Sequence, residues 1–176
     1  MTGMKKTKTL AYSAILTALA LALSYTERFI PLQLIIPLPG IKLGLANIVT
    51  MIALYLMGWK KTLPIVVVRC VLGALFGGGI TALIFSLTGS LLALVVMGIC
   101  KRTPIFSVYG VSILGAATHN IGQILAAMAL MRSVYVCAYM PYLLMVALFT
   151  GSATGAACAG VLRALKTVPI SKEMNR

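Results

Sequence analysis

Four side chains able to form hydrogen bonds lie close together in an apolar stretch in the second half of the sequence. They are Ser112, His119, Asn120 and Gln123. Offsets of seven and four residues place Ser112, His119 and Gln123 on roughly one stripe of a helix, with Asn120 beside it. No carboxylate lies nearby, so a proton relay is not expected. The cluster indicates either a binding site for a small molecule or a hydrogen-bond clamp between helices.

Two residues from the first half of the sequence extend this candidate site. Asn47 is expected near the outer end of the second apolar segment, and Lys42 precedes it by five residues. Basic residues near the site and the scarcity of acids favour an anionic or hydrogen-bonding ligand over a cation. The predicted substrate-binding residues are therefore Lys42, Asn47, Ser112, His119, Asn120 and Gln123.

The acidic residues that many catalytic sites need are almost absent. Glu27 and Glu173 are the two acids, and the 176 residues contain no Asp. Magnesium sites depend on carboxylate oxygens, and the phosphate-binding pattern G-x-x-x-x-G-K-[ST] does not occur. The four cysteines show no CxxC spacing. We therefore predict a protein that is not an enzyme and that binds neither a metal nor a cofactor.

The elements that position these residues are predicted to be membrane helices. Hydrophobic residues make up 61% of the sequence and charged residues 10%, unlike a soluble domain. A helix crosses the hydrocarbon core of a bilayer with roughly 20 apolar residues. Uncharged runs predict six spans in one membrane domain covering residues 1–176, at residues 10–26, 43–59, 63–76, 80–100, 105–131 and 138–165. The glycines at residues 77–79 are expected to form the turn between the third and fourth spans.

The basic residues are distributed unequally between the predicted loops. If the N-terminus is cytoplasmic, eleven of the 15 Lys and Arg residues fall in inner segments, and Arg69 lies within a span. The positive-inside rule therefore predicts that both ends are cytoplasmic. Arg69 is expected to snorkel to the inner surface, the alternative being contact with a partner or an anionic substrate group. Because the cations punctuate apolar runs, nucleic acid is not an expected partner.

Small residues recur every four positions in the first and last spans. Such faces allow helices in a bilayer to approach closely. They serve either internal packing or the docking of a partner membrane protein. The proline-rich segment at residues 31–40 is expected to fold over the mouth of the bundle, either as simple packing or as a lid over a cavity. The two small-residue faces consist of Ala14, Ala18 and Ala22 and of Gly151, Gly155 and Ala159.

Two motifs give the chain a resemblance to a known family. They are PGIKLGLANI at residues 39–48 and ATHNIGQ at residues 117–123. The chain resembles the bacterial family labelled both "heptaprenyl diphosphate synthase component I" and "Gx transporter". That family is similar to the substrate-binding S components of energy-coupling factor (ECF) transporters. The resemblance covers nearly the whole chain, from residue 10 to residue 165.

This resemblance implies an all-α, S-component-like bundle of six transmembrane helices in the bacterial cell membrane. S components capture vitamins or related small molecules at the outer face and work with a membrane coupling protein and two cytoplasmic ATPases. The alanine face of the first helix would contact the coupling protein, and residues 31–40 would form the gate. We therefore expect the substrate-binding subunit of an ECF-type importer. The alternative is a non-catalytic membrane accessory subunit for isoprenoid or quinone synthesis.

Overall fold

The computed structural model describes residues 2–29 and 44–166, and these residues form helices and short turns without any strand. Four stretches are long and apolar enough to cross a membrane: Thr7–Thr26, Trp59–Arg102, Val108–Met131 and Val134–Leu165. The prediction of an all-helical membrane protein is therefore confirmed. The α-helices in the described ranges are α1 (Thr2–Thr26), α2 (Asn47–Met57), α3 (Trp59–Gly73), α4 (Gly79–Arg102), α5 (Val108–Met131) and α6 (Met140–Lys166).

The predicted second span, residues 43–59, corresponds to a much shorter helix. α2 has 11 residues, which gives it a length of about 16 Å at the helical rise. That is roughly half the thickness of the hydrocarbon core. Gly58 ends α2 with a φ of 76°, so α3 begins at Trp59, four residues before the predicted third span. The count of six spans therefore stays a prediction.

α3 and α4 form an antiparallel hairpin. The Arg69 side chain of α3 donates a hydrogen bond to Ser90 of α4, although one continuous helix would separate these residues by about 30 Å. Trp59 lies against the other end of α4, where a Cβ on Gly98 would lie 2.6 Å from the indole Cε3. The chain reverses at Gly77 and Gly79, whose φ angles are 99° and 69°. The predicted glycine turn is confirmed.

Close contact of small residues joins α4, α5 and α6. A Cβ on Gly122 of α5 would lie 2.8 Å from the Cα of Gly89 on α4. A Cβ on Gly151 of α6 would lie 2.6 Å from the Cα of Ile113 on α5. At these crossings only a glycine lets the two backbones lie so close together. The small-residue face predicted for the last span therefore serves internal packing.

The alanine face of the first span lies on the opposite side of its helix from the bundle. Ala14, Ala18 and Ala22 are exposed, whereas Thr17 and Ala20 of α1 are buried. The exposed face does not take part in packing the described bundle. Within the described residues the exposure of these alanines favours docking of a partner over internal packing, and that docking stays a prediction.

α2 occupies the centre of the bundle. Seven of its 11 residues are buried, and Met51 and Leu54 pack in a core with Val66, Leu94 and Met97. This burial on several sides explains why the helix is almost continuously apolar. It also brings the polar N-terminal end of α2 into the interior, where the candidate site lies.

Candidate functional site

Polar side chains from four helices meet near the middle of the bundle, and we call this group the central cluster. Its members are buried, and they are Asn47, Arg69, Ser90, His119 and Gln123. Arg69 is ten residues from the start of α3, Ser90 twelve from the end of α4 and His119 eleven from the start of α5. At the helical rise these separations are roughly 15–18 Å. In a membrane-spanning bundle the central cluster therefore lies near the bilayer midplane.

Arg69 is the cation of the central cluster, and its side chain is 6% exposed. Its Nη2 donates to Ser90 Oγ at 2.7 Å and to Asn47 Oδ1 at 3.5 Å. Among the residues that the structure describes, its buried Nε has no hydrogen-bond partner. The prediction that Arg69 snorkels to the inner surface is wrong, because the side chain turns into the bundle toward these neutral oxygens.

Asn47 contacts the Arg69 guanidinium and belongs to the motif at residues 39–48. Because Asn47 Oδ1 faces the guanidinium, its Nδ2 is the remaining donor group, and Nδ2 is buried without a partner in residues 2–29 and 44–166. Gly44, with a φ of 82°, packs directly on the cluster. A Cβ at this position would lie 3.0 Å from Asn47 Nδ2 and 3.1 Å from His119 Cδ2. The motifs at residues 39–48 and 117–123 therefore meet in space.

His119 is held between glycines of two different segments. Besides Gly44 on one side, Gly89 of α4 lies so close that a Cβ there would be 2.9 Å from His119 Nδ1. His119 Nε2 and Gln123 Nε2 are 3.2 Å apart, one helical turn along α5. The structure thus brings together three of the predicted site residues, Asn47, His119 and Gln123.

Two other predicted residues face α6 instead of the central cluster. The hydroxyl groups of Ser112 and Thr154 are 2.6 Å apart, and Asn120 Nδ2 donates to the Leu143 carbonyl oxygen at 2.8 Å. Asn120 follows His119 directly, so the helical rotation of about 100° per residue directs the two side chains to different neighbours. Lys42 and the proline-rich segment at residues 31–40 lie outside the described residues.

The predicted site residues do not include Arg69 and Ser90. Arg69 gives a signal, because it is the one charged residue in a long apolar run, and contact with a partner or an anionic substrate group is the alternative to snorkelling. Ser90 gave none, because single serines are frequent in membrane helices and its role depends on the pairing of α3 with α4. Both belong to the site through tertiary contacts.

Glu27, which follows α1, contacts the backbone just before α2. Its buried side chain accepts a hydrogen bond from the backbone N–H of Leu45 through Oε1. An acid near the N-terminal end of α2 also suits the positive end of the helix dipole. The hydrogen-bond partners of Arg69, in contrast, are neutral groups.

The central cluster is suited to binding an acceptor group. The guanidinium of Arg69 and the side-chain N–H₂ of Asn47 lie next to each other. The imidazole ring of His119 lies beside them. Within the described ranges no group of three or more His, Cys, Asp or Glu residues is placed to hold a metal ion. The donor chemistry therefore matches recognition of oxygen atoms on a ligand.

Comparison with known proteins gave a match at the level of the family. A sequence model of the family described as "Heptaprenyl diphosphate synthase component I" matches residues 16–161. The matched region contains α2 to α5 in full, the C-terminal part of α1, most of α6, and every residue of the central cluster. The comparisons with curated proteins and with solved structures gave no match.

Proposed function

The chain belongs to the heptaprenyl diphosphate synthase component I family, and we propose that it is a non-catalytic membrane component of such a synthase, working with a separate catalytic subunit. The family match carries this proposal, because it covers both the membrane helices and the central cluster. The word "component" in the family description implies a partner protein. That partner would be the catalytic subunit, which would carry the carboxylates that hold Mg²⁺.

The residue content of the chain supports a non-catalytic role. Prenyl diphosphate synthases hold Mg²⁺ and diphosphate through aspartate-rich motifs, since a hard cation needs carboxylate oxygens. This sequence has no Asp, and Glu27 is engaged with the Leu45 backbone. The unpartnered N–H groups of Arg69 and Asn47 inside the bundle suit the binding of an anion better than the activation of a metal-bound diphosphate.

The proposed topology is that of a multi-pass protein of the bacterial cell membrane with six crossings and both ends in the cytoplasm. The hairpin of α3 and α4 supports it by bringing basic residues from two segments to one end of the bundle. Lys60 and Lys61 open α3, and Lys101 and Arg102 close α4. Lys101 Nζ also donates to the carbonyl oxygen of Leu54 at the end of α2, at 2.8 Å. This basic end would be the cytoplasmic one.

Deletion of the gene in the native host tests the proposal. We expect heptaprenyl diphosphate synthesis in cell extracts containing membranes to fall strongly, and to return when the wild-type chain is supplied. The measurement is the amount of heptaprenyl product formed from labelled precursors, resolved by chain length. Unchanged product formation in the deletion strain would reject a role in this synthase.

A second candidate function is the substrate-binding subunit of an ECF-type importer, with a membrane coupling protein and two cytoplasmic ATPases as partners. The exposed face of Ala14, Ala18 and Ala22 favours it, because small residues allow a second membrane protein to approach α1 closely. Uptake of a small molecule from outside that stops when ATP is depleted would support the importer. Normal uptake of candidate nutrients in the deletion strain would count against it.

A further inference from the structure

Arg69 is a buried cation whose hydrogen-bond partners are neutral, and the unpartnered atoms beside it are donors. We propose that the central cluster is a binding site for a phosphate or diphosphate group, with Arg69 and Asn47 as its direct ligands. A charged donor beside a neutral donor suits an oxyanion, and the choice of phosphate over carboxylate rests on the proposed function. The ligand is either a free phosphate compound or the headgroup of an amphiphile.

The first support is electrostatic. A guanidinium stays protonated in proteins, and a buried charge is costly unless an opposite charge pairs with it. Ser90 and Asn47 supply neutral oxygens to Arg69, and Glu27, the one acid within residues 2–29 and 44–166, accepts from the backbone of Leu45. An anion from outside the chain would complete the charge balance near the bilayer midplane.

The second support is the identity of the unpartnered atoms. Arg69 Nε and Asn47 Nδ2 are both N–H donors, and both are buried without an acceptor within the described ranges. The contact between Arg69 Nη2 and Asn47 Oδ1 places the two side chains next to each other. Adjacent donors of this kind, one of them charged, suit two oxygen atoms of a single phosphate group.

Other polar contacts inside the bundle show what a purely structural arrangement looks like. Ser112 and Thr154 use their hydroxyl groups on each other at 2.6 Å. Lys101 is a half-buried cation in the last turn of α4. Its Nζ donates to the Leu54 carbonyl oxygen at 2.8 Å and lies 4.9 Å from the centre of the Tyr55 ring. These contacts use their polar groups within the chain, whereas the Arg69 and Asn47 pair keeps donors available for a ligand.

The experiment is a titration of the purified full chain in lipid nanodiscs with three probes: inorganic diphosphate, farnesyl diphosphate and farnesol. Isothermal calorimetry should detect binding of a diphosphate-bearing probe and none of farnesol. Binding of inorganic diphosphate identifies a site for the free anion, and binding of farnesyl diphosphate alone identifies a site for an amphiphile headgroup. If neither diphosphate probe binds, the proposal is wrong.

Matched variants assign the binding to the central cluster. Arg69→Met should abolish binding, and Asn47→Ala should weaken it by about tenfold, because each removes a direct donor to the phosphate. Lys101→Met removes a different half-buried cation and should leave the affinity unchanged. Binding that survives both Arg69→Met and Asn47→Ala would place the ligand elsewhere and overturn the proposal.

The stability of the ligand-free protein separates a ligand site from a structural clamp. Removing an uncompensated buried charge with a side chain of similar length should leave the melting temperature of Arg69→Met equal to or above that of the wild type. A marked fall of that temperature, together with unchanged diphosphate affinity in Asn47→Ala, would identify a clamp. These measurements use the purified chain without a partner protein. A negative binding result would therefore leave the proposed role in the synthase standing, and rejection of that role would not change the binding result.

Discussion

The ring of His119 lies between glycines that leave no room for a side chain. A Cβ on Gly89 would lie 2.8 Å from the His119 carbonyl oxygen, so Gly89→Ala should force α4 and α5 apart. We expect a loss of about 1–3 kcal/mol in the free energy of unfolding, as for other overpacked interiors. Thermal unfolding in detergent measures it. Gly160→Ala is the control, because nothing lies within 4 Å of a Cβ there. Equal melting temperatures for the two variants would contradict the close crossing.

Ser90 is predicted to stabilise the fold mainly through Arg69, because its other contact, with the Cys70 thiol at 3.9 Å, is a weak hydrogen bond. Ser90→Ala removes the acceptor at 2.7 Å from a buried guanidinium, which should cost about 1–3 kcal/mol. In an Arg69→Met background the same change should cost much less, since no donor is then left unsatisfied. Thr88→Ala is the control on the same helix, because its exposed hydroxyl bonds to the carbonyl oxygen of Ile84. An equal cost of Ser90→Ala in both backgrounds would show that the two residues are not coupled.

Part of the site could be predicted from residue types. Polar groups in apolar helices must face the interior, which is why Asn47, His119 and Gln123 were assigned to one site. The prediction of a snorkelling Arg69 is wrong because the helical rise gives the depth of a residue but not the neighbours that it contacts. Ser112 was assigned to the same stripe by its spacing, yet Thr154 on α6 supplies a partner that no local pattern in the sequence reveals.

At the level of the elements, the hairpin of α3 and α4 can be tested by cross-linking. Cys70 Sγ lies 3.9 Å from Ser90 Oγ, so Ser90→Cys should form a disulfide with Cys70 under mild oxidation. The other cysteines, Cys100, Cys137 and Cys158, would be replaced by Ala. Mass spectrometry of digested protein should find the linked peptides. Leu92→Cys, exposed on another side of α4, should remain unlinked. Absence of the link from Ser90→Cys would contradict the antiparallel pairing.

The small-residue faces of the first and last helices should respond differently to substitution. Gly151→Leu would place a side chain against the backbone of Ile113 and should unfold or strongly destabilise the bundle. Ala153→Leu on the exposed side of α6, and Ala18→Leu on α1, should leave the protein folded. Fluorescence-detected size exclusion after heating gives the comparison. A normal elution profile for Gly151→Leu would show that α5 and α6 do not cross there.

The sequence allowed most helices to be placed, because charged residues and glycines end the apolar runs. Residues 77–79 are an example, since positive φ angles at Gly77 and Gly79 are easiest for glycine. The short length of α2 was not predictable in the same way. Its uncharged run extends from Leu43 to Trp59, whereas the helix begins at Asn47 and ends at Met57, and only the tertiary structure shows that it lies in the core.

For the molecule as a whole, an interior site and an outward alanine face indicate a membrane protein that acts together with others. The bundle provides a buried cation near the bilayer midplane, and the exposed Ala14, Ala18 and Ala22 leave one side of α1 available. The chain belongs to the family described as "Heptaprenyl diphosphate synthase component I", and its work in a multicomponent synthase is our proposal. The identity of the protein that binds it is therefore the property that best separates the two candidate functions.

Affinity purification of the tagged chain from membranes of the native host, followed by mass spectrometry of the copurifying proteins, measures this directly. We predict recovery of a prenyl diphosphate synthase subunit at near-stoichiometric amounts, and none from a control purification with an unrelated tagged membrane protein. Recovery of a membrane coupling protein with two ATPases, and no prenyl synthase, would contradict the role in heptaprenyl diphosphate synthesis.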